Sequence, residues 1–251
     1  MSIVEKVTKT RLTLKEVLSS EWETSVMPEF SNYEVEKMYT LPSSKNKQIA
    51  QFGVASACNF SLKHKYIPSY SIHVIYYNFP EIGKSSSKIT KSSCDKIESL
   101  YSSELIQPYD SIIMIINDDI SDSLQSSFDA LNIKLQNDLE SIEMDDKILD
   151  EMKKSKYYLE KKHFRNVTVF NVNNLTNNIM KHRLVPEQTA IRDRDKIKEI
   201  LEENNCNTKQ LPIILKGDIV SKYLRLSPGD ICKVERKSIK TGEYNFYRIC
   251  Y

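Results

Sequence analysis

Apolar positions along the chain fall into a few recurring patterns, and each predicts an element. Ile3, Val7, Leu12, Leu14 and Leu18 recur among Lys and Glu as a rough helical stripe, which predicts an amphipathic helix lying across a sheet. Ile49 to Leu62 reads as an extended stretch. Tyr70 to Phe79 (YSIHVIYYNF) is dense in β-branched and aromatic residues and stops at Pro80, the profile of a strand. After a basic, Ser-rich loop at Lys84 to Ser93, the segment Cys94 to Leu105 sets Ile97, Leu100, Tyr101 and Leu105 on one helical face. Ser111 to Asn117 is a near-continuous apolar run, as suits a strand buried on both faces, and Val167 to Val172 (VTVFNV) is a further short strand. Between them, Lys134 to Lys162 carries 15 charged residues in 29, so its surface is solvated. Ile142, Leu149, Met152 and Leu159 still recur there near multiples of a helical turn, which predicts an amphipathic helix at the edge of the domain.

The remaining residues follow another rhythm. Asp193 to Glu203 (DRDKIKEILEE) is a short amphipathic helix with an acidic start, ended by Asn204, Asn205 and Asn207. Leu211 to Leu215, Ile231 to Val234 and Tyr244 to Ile249 are strand-sized apolar pieces. The turns between them carry Gly217-Asp218, Pro228-Gly229 and Thr241-Gly242, each glycine standing where a tight turn asks for positive φ. The expected fold is therefore α/β (α+β): residues 1–175 form a small sheet flanked by helices, and residues 176–251 form a compact mixed β-sheet domain with short helices.

Composition narrows the classes. A chain of 251 residues with 28% charged and 40% hydrophobic positions is long enough for one large core or two modest ones. Its 36 basic and 34 acidic residues leave +2, which excludes a protein that grips nucleic acid or membrane by its overall field. The distribution is uneven, however: residues 1–175 sum to −3 and residues 176–251 to +5. The longest apolar run, Ile112 to Ile116, is far too short to span a bilayer. The opening MSIVEKVTKTRL has no apolar region behind it, so a signal peptide is not expected and an intracellular location is. Five cysteines, Cys58, Cys94, Cys206, Cys232 and Cys250, are odd in number and widely spread, which argues against disulfides and structural zinc.

No catalytic pattern emerges. The phosphate-binding G-x-x-x-x-G-K-[ST] and G-x-G-x-x-G, the zinc-binding H-E-x-x-H and the nucleophile elbow G-x-S-x-G are all missing. His64, His73, His163 and His182 stand singly, and a lone histidine is more often structural than a general base. Asp118-Asp119 after the buried strand suits a helix start, with Ser121 and Asp122 following, better than a metal site. A metal-dependent nuclease core would need a carboxylate and an (Asp/Glu)-x-Lys triplet on neighbouring strands, and Tyr70 to Phe79 contains no acid. No cofactor and no small-molecule substrate are expected.

The C-terminal third carries three uncommon words in fixed order: KHRLVPEQ from Lys181, KQLPIILKGDIVSKYLRLSPGD from Lys209 and VERKSIKTGEYNFYRIC from Val234. Here the chain resembles subunit 5 of the eukaryotic DNA-dependent RNA polymerases, the subunit called H in archaea. The resemblance runs through His182, Leu184-Val185-Pro186, Gln210-Leu211-Pro212, Asp218, Tyr223, Leu226, Gly229, Arg236, Ser238, Thr241-Gly242, Tyr244 and Tyr247-Arg248. It departs at Gln188, where the family usually has His, at Ile213, where Arg normally follows Leu-Pro, and at Ile219, which replaces the Pro of Asp-Pro-Val.

The resemblance implies a non-catalytic subunit of a multisubunit polymerase. Residues 176–251 would be the assembly domain docking on the largest subunit, and residues 1–175 a jaw domain near downstream DNA, with a helical insertion at about 131–162. The largest-subunit contacts it implies are His182, Leu184, Val185, Pro186, Gln210, Leu211, Pro212, Asp218, Tyr223, Arg236, Tyr244, Tyr247 and Arg248. The composition independently favours this role, because Arg and Tyr among apolar strands suit protein interfaces. Core packing is the expectation for Tyr244 and Leu211. DNA-proximal candidates are Lys84, Lys88 and Lys91 in the Ser-rich loop and Lys6, Lys9 and Arg11 near the N-terminus, since phosphate contacts need exposed cations. A nuclease-like enzyme, or a polymerase-binding regulator carrying the same tail, is the alternative. A nuclear location follows if the gene is cellular, and a cytoplasmic or virion location if it is viral; the Asn-, Lys-, Ile- and Ser-rich composition and divergent front half lean towards the latter.

Overall fold

The computed structural model describes residues 1–41, 53–84, 89, 92–157, 159–238 and 242–251. The chain divides into two compact units, one made of Met1–Ser155 and Phe164–Asn177, the other of Lys156–His163 and Asn178–Tyr251. The crossing at Asn177 lies two residues from the cut expected at 175/176, and the C-terminal unit also takes up the short stretch Lys156–His163.

The N-terminal unit begins with α1 (Ile3–Val17), whose start is closed by a reciprocal capping box between Ser2 and Glu5. Its inward face is Val4, Val7, Arg11 and Leu14, continued by Leu18. This spacing of three and four corrects the stripe expected from the sequence, because Leu12 points outward and is 47% exposed. A second helix, α2 (Asn32–Thr40), opens with the same kind of box, Ser31 with Glu34, and buries Val35 and Tyr39. Extended chain was expected from Ile49 to Leu62. Residues 49–52 lie outside the described residues, Val54–Cys58 is a 3-10 helix, and the strand β1 (Phe60–Lys63) begins only at Phe60.

β1 pairs antiparallel with β2 (Ser71–Tyr77), and β2, β3 (Ser111–Ile116) and β4 (Val167–Asn171) follow in parallel, giving the order β1-β2-β3-β4. Parallel neighbours need crossovers, supplied by α3 (Ser92–Ser102) and by α4 (Asp122–Glu140) with α5 (Asp146–Ser155). One sheet face, built from Ile75, Tyr77, Ile112, Met114, Ile116, Val167 and Val169, meets Ile97, Leu100 and Tyr101 of α3 and Leu124, Phe128, Leu131 and Leu135 of α4. On β2 the alternate side chain Tyr76 turns away from that core and shares a hydrogen bond with the Thr10 hydroxyl of α1 at 3.0 Å. All six residues of β3 are buried, as its unbroken apolar run predicts.

The charged stretch from Lys134 to Lys162 is two helices and a turn rather than one helix. α4 starts much earlier, capped by Ser121, and it buries Leu131, Leu135 and Leu139; α5 buries Ile148 and Met152. Asn132, buried in α4, donates its side-chain amide to the Val167 carbonyl at 2.9 Å and accepts the Val167 N–H at 2.8 Å. Beside that cap, the Asn171 amide donates to the Asp118 carbonyl and to Asp119 Oδ1.

In the C-terminal unit β5 (Glu187–Ile191), β7 (Ile231–Ser238) and β8 (Gly242–Cys250) are antiparallel, and the two-residue β6 (Ile213–Ile214) adds in parallel to β8. The core is Ile214, Leu226, Cys232, Val234 and Cys250, with Ala190, Leu224 and Phe246 packed against it. α6 (Arg194–Glu203) starts at an Asp193 cap, and α7 (Ile219–Leu224) at an Asp218 cap. Gly229 and Gly242 do take positive φ, 87° and 74°, whereas Gly217 does not, so its turn makes no such demand. Among the described residues no helix is long and apolar enough to cross a membrane.

Candidate docking surface

β7 and β8 run on past the core of the C-terminal unit. Their register sets Cys232 opposite Arg248, Val234 opposite Phe246 and Arg236 opposite Tyr244. Cross-strand partners share a face, so the two arginines, Tyr244 and Phe246 lie on the same side as buried Cys232 and Val234. At the far end the hairpin borders a groove of about 810 Å³, walled by Arg183, Leu184, Val185, Pro186 and Glu187 around the start of β5 and by Glu235, Arg236, Lys237, Glu243 and Tyr244 on the hairpin, so side chains of both hairpin faces reach it and its three carboxylates balance its three cations. The apolar side chains there are bare: Leu184 is 76% and Tyr244 42% exposed.

Charge is sorted between the two faces. Arg236 places its guanidinium 4.7 Å from the centre of the Phe246 ring, and Arg248 lies 5.7 Å from the same centre. Neither arginine has a carboxylate in ion-pair reach among the described residues, and the buried Nε of Arg248 meets no acceptor. On the other face, Lys233 pairs with Glu235 at 2.7 Å and Lys237 with Glu243 at 3.1 Å. The lysine face thus neutralises itself.

Of the contacts expected from the family resemblance, Leu184, Val185, Pro186, Arg236 and Tyr244 come together in this groove. Tyr244 corrects the expectation of core packing; Leu211 is half-buried. His182 is exposed, and its Nδ1 accepts the Leu184 N–H at 3.3 Å, which shapes the turn leading into the groove. Gln210 closes a capping box on Asn207, and the Pro212 carbonyl accepts the Ile249 N–H at 2.9 Å, so these residues serve the β6 edge and not the groove. Asp218 is exposed but spends one carboxylate oxygen on capping α7. Tyr223 is 4% exposed, and burial pushes its phenol up to about 12, so it is a core residue and not a contact. Tyr247 and Arg248 are half-buried on β8.

The departures from the family pattern have local consequences. Gln188 accepts a weak hydrogen bond from the Cys232 thiol at 3.5 Å. Ile213 stands 56% exposed on the β6 edge, and Ile219 occupies the first position of α7, where proline would cost nothing.

The DNA-proximal candidates separate. Lys9 is exposed and Lys6 half-buried on α1, Lys84 is exposed and paired with Glu81 at 2.6 Å, and Lys88 and Lys91 lie outside the described residues. Arg11 is excluded as a phosphate ligand. It is 7% exposed, sits over the rings of Phe30 and Phe60, and donates to the Cys58 carbonyl at 2.8 Å.

One cluster was invisible to sequence reasoning. Asp230 is fully buried, with Lys162 Nζ at 2.9 Å, His163 Nε2 at 3.0 Å and the Ser227 N–H at 2.9 Å from its carboxylate. Burial alone raises its carboxyl pKa, and the His163 hydrogen bond, the Ser227 N–H and the Lys162 ammonium more than offset this, holding it below its ordinary value. Lys162 and His163 lie at least 67 residues from Asp230 in the sequence, and no local pattern joins them.

Comparison with known proteins falls on the same unit. The family model for the RNA polymerase Rpb5 C-terminal domain matches residues 177–250. A DNA-directed RNA polymerase subunit Rpo5 from Pyrococcus abyssi is 42% identical over 72 residues, 29% of this chain and 87% of the relative. Rpo5 from Archaeoglobus fulgidus is 37% identical over 68 residues, 27% of this chain and 88% of the relative. For the Dictyostelium discoideum subunit rpabc1 of DNA-directed RNA polymerases I, II and III, the match is 37% over 81 residues, 32% of this chain and 41% of the relative. A unit that carries nearly the whole of an archaeal Rpo5 at this identity places the chain in the Rpb5 family of RNA polymerase subunits.

Proposed function

We propose that this chain is a non-catalytic subunit of a multisubunit DNA-directed RNA polymerase and acts in transcription by assembly rather than by chemistry. The observation that carries the reading is the 87% coverage of an archaeal Rpo5 at 42% identity by the unit that also bears the open groove. The C-terminal unit docks on the largest polymerase subunit through the groove lined by Leu184, Val185, Pro186, Arg236 and Tyr244. Bare apolar and aromatic side chains beside arginine are the composition of an interface centre.

The N-terminal unit acts as a jaw element near downstream DNA. Its sheet flanked by helices offers Lys6 and Lys9 on one helix, enough for transient, sequence-independent phosphate contact and too little for stable DNA binding on its own. The test is sedimentation of the endogenous, tagged chain from a cell or virion lysate. Co-migration with the two largest polymerase subunits and with transcript-extending activity is expected, and migration as a free monomer overturns the reading.

A further inference from the structure

We infer that the β6 edge of the four-stranded C-terminal sheet receives an extended, apolar strand of a polymerase partner, which pairs with the main chain at Ile213 and Leu215. The inference rests on the subunit role proposed above and adds a second contact, made by residues outside the groove.

The strand order β5-β7-β8-β6 leaves β6 as an open edge. Its parallel pairing sets Ile213 beside Ile249 and Ile214 beside Cys250, and the Ile249 N–H donates to the Pro212 carbonyl at 2.9 Å. The ladder continues past the strand: the Tyr251 N–H donates to the Ile214 carbonyl and the Lys216 N–H to the Tyr251 carbonyl, each at 3.0 Å. These bonds draw on Pro212, Ile214 and Lys216. The N–H and C=O of Ile213 and the N–H of Leu215 therefore point away from β8, and among the described residues no group bonds to them.

The side chains alternate with the backbone. Ile214 and Cys250 enter the core, which puts Ile213, Leu215 and Tyr251 on the opposite face, 56%, 63% and 78% exposed, with half-buried Ile249 beside Ile213. Open edges are normally blunted by charge, and no charged residue stands between Pro212 and Lys216. Unpaired backbone groups and contiguous apolar surface coincide instead. That coincidence names the occupant: a donor, an acceptor and a donor in a row are complementary to main chain in strand conformation, and the adjoining face takes its apolar side chains. β6 itself is two residues long, so two copies of this chain paired edge to edge would bury little, whereas a longer partner strand bonds all three groups and continues over Tyr251.

The test is affinity purification of the full-length tagged chain as wild type, Ile213→Pro and Ile213→Asp/Leu215→Asp. Ile213→Pro deletes an N–H that the sheet does not use, so the melting temperature of the purified free chain stays near wild type while recovery of the two largest polymerase subunits falls about tenfold. The aspartate pair, exposed in the free chain, lowers recovery at least as far, because docking would bury two charges against an apolar strand. Amide exchange supplies a readout independent of the variants: Ile213 and Leu215 exchange freely in the free chain and slowly in purified polymerase, and equal exchange in the two overturns the proposal. Wild-type recovery of both variants overturns it too and leaves the subunit role intact. Loss with the aspartate pair but not with proline overturns strand addition, since an apolar contact without backbone pairing behaves that way. A free chain that dimerises, and loses the dimer with Ile213→Pro, makes a second copy the occupant and overturns the partner strand. Failure of the wild-type chain itself to recover the polymerase overturns the subunit role as well.

Discussion

His163 Nε2 lies 3.0 Å from Asp230 Oδ1, across 67 residues of sequence and with both side chains buried. The Glu160 N–H donates to His163 Nδ1 at 2.9 Å, so the proton sits on Nε2 and points at the carboxylate. Lys162 reaches the same oxygen, and the Ser227 hydroxyl donates to the Lys162 carbonyl at 3.0 Å. The stretch Lys156–His163 is thereby clasped into the C-terminal unit by one aspartate.

Asp230→Asn removes the negative charge and replaces one of the two acceptor oxygens by an NH2 donor while leaving Lys162, His163 and the Ser227 N–H in place, and a loss of about 3 kcal/mol is expected in denaturant unfolding. Since the folded carboxyl is held below its ordinary 3.8, the stability it contributes is complete above that pH and fades as the pH falls through the folded value. Melting curves between pH 7 and the acid limb should show a smaller acid loss in the Asn variant than in wild type.

The register of α1 is testable by a pair of leucines. Leu14 is buried and Leu12 is exposed, so Leu14→Ala should cost about 2–4 kcal/mol and Leu12→Ala less than about 0.5 kcal/mol. The helical stripe read from the sequence makes the two equal.

Arg11 and Lys9 separate structure from DNA contact. Arg11→Ala removes a buried hydrogen bond and two ring contacts and is expected to lose about 2 kcal/mol of stability. Lys9→Ala leaves stability within about 0.5 kcal/mol and, if the jaw touches phosphate, lowers the salt slope of polymerase–DNA binding by about one.

Two tyrosines of the C-terminal unit, both matched to the family, should behave oppositely. Tyr223→Ala opens a cavity in the core and is expected to cost about 3–5 kcal/mol in the free chain. Tyr244→Ala leaves the melting temperature near wild type and weakens polymerase recovery about tenfold, the behaviour of an interface residue.

Much of this architecture is legible in the sequence where one physical rule dominates. β3 stands out because a strand buried on both faces is nearly continuous in apolar residues, β2 and β4 because β-branched and aromatic residues are dense in them, and α6 because its acidic cap and amphipathic pattern coincide. β5 escapes notice, since Glu187–Ile191 is a partly exposed strand that pairs with β7 alone, and no alternation marks it. α2 is short and mostly solvated, although the Ser-x-x-Glu signal at Ser31–Glu34 was present. In the long charged stretch, charge masks the break at 141–145 between α4 and α5, and the buried start of α4 lies ahead of that stretch. At the candidate site, the groove residues were named from family resemblance. Which family-matched or cationic side chains stay accessible is a tertiary property: Tyr244 stands exposed on β8 whereas Tyr223 of α7 is buried, and Arg236 on β7 is half-buried whereas Arg11 of α1 is enclosed between two rings. The Asp230 clasp depends on contacts across 67 residues, beyond the reach of any local pattern.

The most direct test of the account is the amount of this chain in purified, transcriptionally active polymerase, measured by quantitative mass spectrometry against the two largest subunits. One copy per enzyme, retained through high-salt washing, is predicted. Active polymerase that is free of the chain, or contains it only in trace amounts, would contradict its role as a subunit.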